Sequence, residues 1–341
     1  MDTTRLGRTG LQVTRTGFGV LPLQRVTMAE ATRILRRAFD AGITFYDTAR
    51  AYSDSEEKIG AALGDVRDQV VIATKSGATT RTGVLHDLDT SLRNLRTDYV
   101  DILQLHTPTT LPDPDDPESS YAGLLAARRA GKVRHFGMTN HSAERAIAAV
   151  TSGLYETLQF PLCHISSPAD LALIELCRTH DVGLIAMKPL CGGLLAHARP
   201  AFAFLRQFSN LVPIWGFQRL EELEELLALD ADPPALDDAL QAEIARDGQE
   251  LAGEFCRACG YCLPCPARIP IPMAARMSLL LRRMPYQQFL TPEWQEQMRC
   301  IKGCVECNHC RRRCPYGLDT PALLKRMLAD YEAFLAEQEG R

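Results

Sequence analysis

Cysteines that could hold a metal centre dominate the C-terminal part of the chain. Nine of the twelve cysteines lie between Cys256 and Cys314. Eight of these form two runs in which two or three other residues separate neighbouring cysteines, and each run ends in Cys-Pro. A proline directly after the last ligand turns the chain away, because its ring fixes the backbone and it has no N–H donor. The runs are Cys256, Cys259, Cys262 and Cys265, followed by Cys304, Cys307, Cys310 and Cys314.

The spacing favours iron over zinc without excluding zinc. The second run has the spacing of bacterial ferredoxins, in which the fourth cysteine of each run ligates the cluster of the other run. The first run departs from it with only two residues before Cys265. A zinc knuckle needs two thiolates, whereas each run supplies four. Two [4Fe–4S] clusters are therefore favoured over one cluster or a zinc site, with Cys300 as a spare ligand. Cys163, Cys177 and Cys191 are predicted to be small buried hydrophobes.

A second group of reactive side chains lies at the ends of apolar runs in the first half of the chain. Asp47, Lys75 and His106 each lie at the end of a predicted strand, and Tyr52 follows Asp47 by five residues. Each alone is more often a solvated or structural residue, but the carboxyl ends of barrel strands converge on one mouth. A carbonyl reduced by hydride needs a proton donor and a group that stabilises the developing oxyanion. We therefore predict Tyr52 as the proton donor.

The other three side chains have expected roles around that phenol. A phenol normally titrates near 10, so a cationic Lys75 is expected to stabilise the phenolate and lower the pKa of Tyr52. Asp47 is expected to hold the ammonium in place. His106 is expected to donate a hydrogen bond to the carbonyl oxygen.

The elements that must position these residues alternate as eight strand and helix units. Each predicted strand is a short apolar run, and helical periodicity separates the runs, as in Met28–Ala41, Leu85–Leu95, Tyr121–Ala130 and Asp170–His180. This order predicts an α/β fold with a (β/α)8 TIM barrel. A doubly wound open sheet is the competitor, but the chain has no G-x-G-x-x-G. The predicted strands are Gly17–Val20, Thr44–Ala49, Val70–Lys75, Val100–His106, His135–Asn140, Thr157–Leu162, Gly183–Lys188 and Val212–Phe217.

The predicted domain limits follow composition. Residues 1–235 form the barrel, whose first residues make a hairpin that caps one mouth, and 236–253 form a connecting helix. Residues 254–341 form a small, mainly α-helical iron–sulfur domain. Residues 1–253 carry 25 basic and 33 acidic side chains, whereas 254–341 carry 13 and 9.

Charge and hydropathy limit the partners and the compartment. The net charge of −4 favours neither nucleic acid nor a membrane surface. No apolar run approaches the roughly 18 residues that a membrane-spanning helix requires. The N-terminus is polar and lacks the apolar core of a signal peptide, so we expect a cytoplasmic protein with reduced thiols.

The chain from about residue 3 to residue 230 resembles the aldo-keto reductase superfamily. The resemblance rests on the four reactive residues and on "GRTGL", "FYDTARAY", "GKVRHFGMTN" and "MKPLCGG". With the cysteine runs, the chain is similar to the subfamily that carries a C-terminal ferredoxin-like 4Fe–4S domain. The resemblance implies NADPH, or alternatively NADH, bound across the barrel mouth. The residues that it implies for cofactor binding are Thr139, Asn140, Gln159, Lys188, Pro189, Leu190, Gly216, Gln218, Arg219 and Glu225.

The sequence departs from the family at two places in or beside this set. Met187 stands where many relatives have an aromatic residue that stacks on the nicotinamide. Gln218 and Arg219 replace the Lys/Arg-Ser pair that often grips the 2′-phosphate.

The resemblance implies an NAD(P)H-dependent oxidoreductase that acts on a small carbonyl or alcohol substrate. Two alternatives remain open, a cluster-linked electron-transfer protein and a redox sensor that uses the barrel only to bind nicotinamide. The basic run Arg311–Arg313 would suit an acidic electron-carrier protein, although a solvated charge run is the more frequent explanation of such a stretch.

Overall fold

The computed structural model describes residues 1–251, 255–284 and 286–339, which divide into two compact units. One unit contains Met1–Pro189 and Ala198–Gln241, and the other contains Leu190–His197 and the described chain from Ala242 onward. The predicted boundary between residues 253 and 254 lies outside the described residues. The predicted domain limits therefore stay predictions.

In the part of the first unit that the structure describes, eight parallel strands form a closed barrel, as predicted. The strand order is β10-β3-β4-β5-β6-β7-β8-β9, so each strand pairs with its neighbours in sequence and the last pairs with the first. This closure excludes the open sheet. The barrel strands are β3 Gly17–Gly19, β4 Phe45–Asp47, β5 Val71–Ser76, β6 Val100–His106, β7 Val133–Thr139, β8 Thr157–Pro161, β9 Gly183–Met187 and β10 Leu211–Trp215.

Helices follow the strands along the chain. Several helices begin at a capping residue. At the start of α1, for example, Thr27 and Glu30 form a reciprocal capping box. Two 3-10 helices, Leu21–Arg25 and Gly64–Gln69, lie between the larger elements. The helices are α1 Met28–Asp40, α2 Ser55–Leu63, α3 Arg81–Leu95, α4 Ser120–Arg129, α5 Ala143–Thr151, α6 Pro168–Thr179, α7 Ala198–Arg206, α8 Leu220–Ala231 and α9 Asp238–Glu250.

The N-terminal hairpin closes the end of the barrel where the strands begin. Its strands are β1 Thr3–Arg5 and β2 Gln12–Thr14, which pair antiparallel. Leu6 and Val13 belong to the same buried apolar cluster as Phe45 and Ile214 of the barrel strands. The hairpin approaches so closely that a Cβ on Gly7, where φ is +52°, would lie 2.1 Å from the backbone nitrogen at the start of β9. The candidate functional site lies at the opposite end of the barrel, where the strands finish.

The described part of the second unit is mainly helical, which confirms the predicted fold class. Two 3-10 helices, Tyr286–Phe289 and Cys300–Gly303, accompany the longer elements. No helix among the described residues is long and apolar enough to cross a membrane. The helices are α10 Ile271–Ala274, α11 Met277–Arg283, α12 Pro292–Arg299, α13 His309–Arg313 and α14 Thr320–Glu339.

Candidate functional site

Three of the four predicted catalytic side chains lie at the carboxyl ends of adjacent barrel strands. Asp47 is the last residue of β4, Lys75 is the next to last of β5, and His106 is the last of β6. β4 pairs with β5, and β5 pairs with β6. Since neighbouring strands are about 4.8 Å apart, this order places all three side chains within one small region.

Asp47 and Lys75 form a buried ion pair. The Nζ of Lys75 lies 2.6 Å from Oδ1 of Asp47 and donates a second hydrogen bond, 2.5 Å long, to the carbonyl oxygen of Thr48. The Lys75 side chain is only 1% exposed, and the Asp47 side chain is only 3% exposed. A buried charge is tolerated when it is paired and its other hydrogen-bonding positions are filled. The ammonium is therefore held in a single place beside the turn that follows β4.

Two glutamines complete the hydrogen bonding of the Asp47 carboxylate. Gln104 donates from Nε2 to Oδ2 at 3.1 Å, and Gln159 donates from Nε2 to Oδ1 at 3.2 Å. The sequence analysis missed Gln104. The signal was present, because Gln104 is a polar residue within the apolar strand β6 and lies two residues before His106, on the same face of the strand.

The turn after β4 brings Tyr52 to the same place. The Nζ of Lys75 lies 5.1 Å from the centroid of the Tyr52 ring. The Tyr52 and His106 rings meet edge to face, with centroids 5.7 Å apart and planes at 82°. The turn is also tied to β5 through the backbone, where the Arg50 N–H donates to the Lys75 carbonyl at 3.0 Å. The structure therefore brings Asp47, Tyr52, Lys75 and His106 together.

Lys75 lowers the pKa of Tyr52 as expected, but the net shift of that pKa is upward. Burial raises the pKa of Tyr52 above its ordinary value, because removal from water disfavours the phenolate. The attraction of Lys75 lowers that pKa but does not outweigh burial, and the Asp47 carboxylate raises it further. Tyr52 is therefore a neutral phenol at neutral pH, which is the form that can donate a proton.

His106 is uncharged in this setting. Burial first, and then the repulsion of the Lys75 ammonium, lower the pKa of His106 to about 3. A neutral imidazole has one N–H donor and one acceptor nitrogen. His106 can therefore donate one hydrogen bond without adding a second positive charge beside Lys75.

A buried carboxylate at Glu56, which the sequence analysis did not single out, anchors α2 behind the Tyr52 turn. Its side chain is 0% exposed and pairs with Arg50. It also accepts a 2.7 Å hydrogen bond from the Thr74 hydroxyl and a 3.3 Å hydrogen bond from Asn94. The only sequence signal is a glutamate in the first turn of a helix, which is usually exposed.

The residues predicted to hold the nicotinamide lie on the next strands around the barrel. Thr139 ends β7, Asn140 follows it, and Gln159 is in β8. Oδ1 of Asn140 accepts hydrogen bonds from the backbone N–H groups of His141 and Ser142, both at 2.9 Å. Oε1 of Gln159 is buried with no hydrogen-bond partner among the described residues. An unpaired buried acceptor is costly, and a carboxamide N–H is a group that would satisfy it. These residues therefore fit a nicotinamide.

The residues predicted after β9 are divided between the two units. Lys188 and Pro189 follow β9 in the first unit, whereas Leu190 belongs to the second. The backbone of Lys188 has a positive φ of +58°, which is uncommon for a residue with a side chain. The chain therefore makes a sharp turn directly after β9.

In the predicted phosphate-binding segment after β10, the carboxylate of Glu222 already accepts hydrogen bonds from the groups that could bind a phosphate. Oε2 of Glu222 accepts from the backbone N–H groups of Gln218 and Arg219, at 2.9 and 3.2 Å. Oε1 of Glu222 accepts from Nε of Arg219 at 2.9 Å. Gly216 and Glu225 are exposed on either side. Donors of this kind at a helix N-terminus bind phosphate in many proteins, so Glu222 competes for them.

The cysteines of the two runs line two cavities in the second unit. The first cavity is lined by Cys262, Cys265, Cys304, Cys307 and Cys310. The second is lined by Cys256, Cys259, Cys262, Cys310 and Cys314. The fourth cysteine of each run thus faces the cavity that holds the first three cysteines of the other run. Cys300 is not among the described residues that line either cavity.

The chemistry of these cavities fits an iron–sulfur centre. Among the described residues, no three His, Cys, Asp or Glu side chains converge as the ligands of a single metal ion would. Burial raises the pKa of Cys262 to about 12. A thiolate here therefore requires a compensating positive charge, which cluster iron provides. Cys177 of α6 and the loop residues Cys163 and Cys191 are buried as predicted.

The chain matches two family models. Residues 15–229 match the aldo/keto reductase family, and residues 255–319 match a 4Fe–4S dicluster domain. The first match covers the whole set of barrel strands. The second covers both cysteine runs.

Individual relatives agree with the first match. Aldo-keto reductase YhdN of Bacillus subtilis is 30% identical over 214 residues, which are 57% of this chain and 64% of that protein. L-galactose dehydrogenase of Arabidopsis thaliana is 31% identical over 215 residues, which are 57% of this chain and 67% of that protein. This chain thus spans less than two thirds of the length of YhdN.

Solved structures share the fold. The holo form of aldo-keto reductase AKR11C1 from Bacillus halodurans aligns with a TM-score of 0.64 at 20% identity. The alignment covers 74% of this chain and 97% of that one. At this identity the likeness concerns the fold alone. Taken with the family match over most of the barrel, it leads to one conclusion: the chain belongs to the aldo/keto reductase family and carries a 4Fe–4S dicluster domain at its C-terminus.

Proposed function

We propose that the protein is an NAD(P)H-dependent oxidoreductase that transfers a hydride between nicotinamide and a small carbonyl or alcohol substrate. The observation that carries the proposal is the convergence of Tyr52, His106 and the Lys75–Asp47 ion pair at one end of the barrel. When bound, the reduced nicotinamide supplies the hydride. Thr139, Asn140 and Gln159 would hold its carboxamide.

Each of the four side chains has a distinct task in the proposed reaction. Tyr52, a neutral phenol, donates its proton to the carbonyl oxygen as the carbonyl is reduced. Lys75 then stabilises the phenolate that remains, and Asp47 keeps the ammonium in place. Neutral His106 donates a hydrogen bond that orients the carbonyl oxygen before transfer.

The choice between NADPH and NADH depends on the segment after β10. Arg219 is the cation that would bind a 2′-phosphate, but Glu222 already pairs with its guanidinium and with the two backbone donors. A dianionic phosphate would have to displace this carboxylate or lie beside it. NADPH, which the resemblance implies, therefore meets a repulsive group, and NADH does not.

We also propose two [4Fe–4S] clusters, one in each cysteine cavity. Cys304, Cys307, Cys310 and Cys265 would hold one, and Cys256, Cys259, Cys262 and Cys314 the other. Both sets rest on the lining of the cavities. Twelve cysteines, eight of them metal ligands, also suit a reducing compartment such as the cytoplasm.

A second candidate function is electron transfer through the clusters. Cys307 is exposed, as is Val305 beside it, which is 66% exposed. The cluster in that cavity would be within reach of an electron-carrier protein, and Arg311–Arg313 are exposed along α13. Arg311 already pairs with Asp319 at 3.3 Å, which reduces the positive charge offered to an acidic partner.

Replacement of Tyr52 by Phe should abolish most of the reductase activity. Loss of the proton donor is expected to lower kcat for NAD(P)H oxidation with simple aldehydes by roughly 10²–10⁴-fold. The Kd of the nucleotide should change little, because the hydroxyl is not needed to hold it. Tyr99→Phe is the matched control, since Tyr99 precedes β6 and packs against Arg67 and Arg134. Equal kcat in Tyr52→Phe and the wild type would remove Tyr52 as the donor.

The pH profile of carbonyl reduction should be flat across the neutral range. Tyr52 acts in its protonated form, so kcat is maintained below its pKa and falls only as the pH rises through it. Because burial raises that pKa, no fall is expected up to about pH 10. His106, with a pKa of about 3, should add no step between pH 5 and about 8. A kcat that changes tenfold near pH 6.5, and does so only while His106 is present, would contradict a neutral imidazole.

Replacement of Glu222 by Gln should shift nucleotide preference toward NADPH. The amide keeps an acceptor for the backbone donors but removes the charge. We expect the ratio of the NADPH Kd to the NADH Kd to fall about tenfold, or about 1.4 kcal/mol, as for a charge pair at a partly exposed site. Fluorescence titration measures both constants. Glu221→Gln removes the same charge from an exposed neighbour in α8 and should shift the ratio less.

Protein purified without oxygen should contain about eight iron atoms and as many acid-labile sulfides per chain. Cys314→Ser should reduce both counts by about half or more, because it removes a ligand from one cavity. Cys300→Ser should leave them unchanged. Zinc without sulfide would overturn the cluster assignment.

In the same preparation, reduction of NAD(P)⁺ by dithionite-reduced protein would favour the electron-transfer function.

A further inference from the structure

Tyr52 differs from the other three predicted catalytic side chains in what holds it in place. The other three belong to paired barrel strands, whereas Tyr52 lies in the turn between β4 and α2. Strand pairing fixes a residue through its own backbone, but a turn depends on the contacts that surround it. Ser53, directly after Tyr52, has a positive φ of +35°, which is uncommon for a residue with a side chain. The surrounding structure therefore has to maintain the conformation of this turn.

Arg50, two residues before Tyr52, joins the turn to the strand that carries Lys75. The Arg50 N–H donates to the Lys75 carbonyl oxygen at 3.0 Å. Within the turn, the Tyr52 N–H donates to the Ala49 carbonyl oxygen at 3.0 Å, and the Ser55 N–H donates to the Tyr52 carbonyl oxygen at 2.8 Å. Because these hydrogen bonds follow one another along the chain, a displacement of Arg50 would move Tyr52 relative to Lys75.

The guanidinium of Arg50 is held by the carboxylate of Glu56. Nη1 of Arg50 donates to Oε2 of Glu56, whose side chain is 0% exposed. Oε1 of Glu56 accepts a 2.7 Å hydrogen bond from the hydroxyl of Thr74. Oε2 accepts a further hydrogen bond, 3.3 Å long, from Nδ2 of Asn94. Both carboxylate oxygens are therefore engaged, and the position of the carboxylate is fixed.

Glu56 connects the turn to the strand of Lys75 and to the neighbouring helix. Thr74 directly precedes Lys75 in β5, so their side chains point to opposite faces of the strand. The Lys75 face carries the buried ion pair, and the Thr74 face meets Glu56. Helix α2 also lies close to the end of α3, because a Cβ on Gly60 would lie 2.3 Å from the carbonyl oxygen of Asn94. Glu56 therefore ties three elements together behind the site.

Stability alone does not explain a buried charge at Glu56. Well-packed apolar side chains of similar volume often stabilise a protein as much as a buried ion pair does. A charge-assisted hydrogen bond to a guanidinium adds directionality, which an apolar contact lacks. Glu57, the next residue of α2, is exposed, as a glutamate in the first turn of a helix usually is. The buried carboxylate therefore contributes a defined geometry to the turn.

We propose that Glu56 and Arg50 are positioning residues for proton transfer, which hold the turn after β4 so that the Tyr52 phenol stays beside the ammonium and the imidazole. The inference rests on the proposed function, because both residues affect the reaction only through Tyr52. Neither has to touch the substrate. A proton donor must lie within hydrogen-bond reach of the carbonyl oxygen, and a displacement of about 1 Å can lower a rate about 10²-fold.

The matched pair Glu56→Gln and Glu57→Gln tests the proposal in the full chain. Both changes remove one negative charge from the first turn of α2. Glu56→Gln keeps an acceptor for the Thr74 hydroxyl but loses the charge that holds the Arg50 guanidinium. We expect kcat for aldehyde reduction to fall by about tenfold or more, with KM little changed. Glu57→Gln should leave both constants unchanged.

A second background shows whether Glu56 acts through Tyr52. In Tyr52→Phe the proton donor is absent, so a residue that only positions it has nothing left to position. Glu56→Gln should therefore lower kcat by less than about twofold in this background. An equal fall in both backgrounds would overturn the positioning role, since it would indicate a general structural effect.

Fluorine NMR tests the position of the ring without turnover. In protein labelled with fluorotyrosine, the Tyr52 resonance is the one that disappears in Tyr52→Phe. Glu56→Gln should shift or broaden this resonance, and Glu57→Gln should not. An unchanged Tyr52 resonance in folded Glu56→Gln protein would overturn the proposal. If Glu56→Gln does not fold, Arg50→Met takes its place with the same expected changes, because the Arg50 side chain is 26% exposed.

The two measurements separate this inference from the proposed function. A wild-type protein that reduces no carbonyl compound would count against the proposed function. The NMR comparison would still decide whether Glu56 holds the turn that carries Tyr52.

Discussion

The ion pair between Lys75 and Asp47 is the interaction on which the rest of the site depends. Both groups are almost fully buried, so either alone would be strongly unfavourable. Gln104 and Gln159 supply further hydrogen bonds to the carboxylate, and the Thr48 carbonyl accepts one from the ammonium. The result is a fixed positive charge beside a phenol. Such a fixed charge is electrostatic preorganisation, because no reorientation is needed when the phenolate forms.

Burial and this ion pair together set the charge states of the neighbouring groups. Burial first, and then the repulsion of the Lys75 ammonium, keep His106 neutral. The ammonium does not turn Tyr52 into a phenolate, because burial of the ring has the larger effect. The site therefore combines a protonated acid, a neutral hydrogen-bond donor and one permanent cation. This combination favours proton donation over proton abstraction at neutral pH.

The barrel was predictable because buried parallel strands are nearly continuous apolar runs, as Val100–His106 illustrates. The placement of Asp47, Lys75 and His106 followed from their positions at strand ends. The direction of the Tyr52 pKa was not predictable, since it depends on how deeply packing buries the ring. The rotamer of Glu222 was also not predictable, because a glutamate in the first turn of a helix can adopt several side-chain conformations. The grouping of Leu190–His197 with distant residues depends on tertiary contacts that no local pattern encodes.

Cys265 of the first run lines the cavity of the second run, and Cys314 of the second run lines the cavity of the first. This crossing affects how the C-terminal unit can assemble and be degraded. Each cavity is lined by cysteines from both ends of a stretch of about fifty residues, so the two proposed clusters would close the intervening chain into a loop. Neither half could be excised to leave a complete smaller module, as one repeat of a solenoid can. The unit would be inherited, matured and degraded as a single piece.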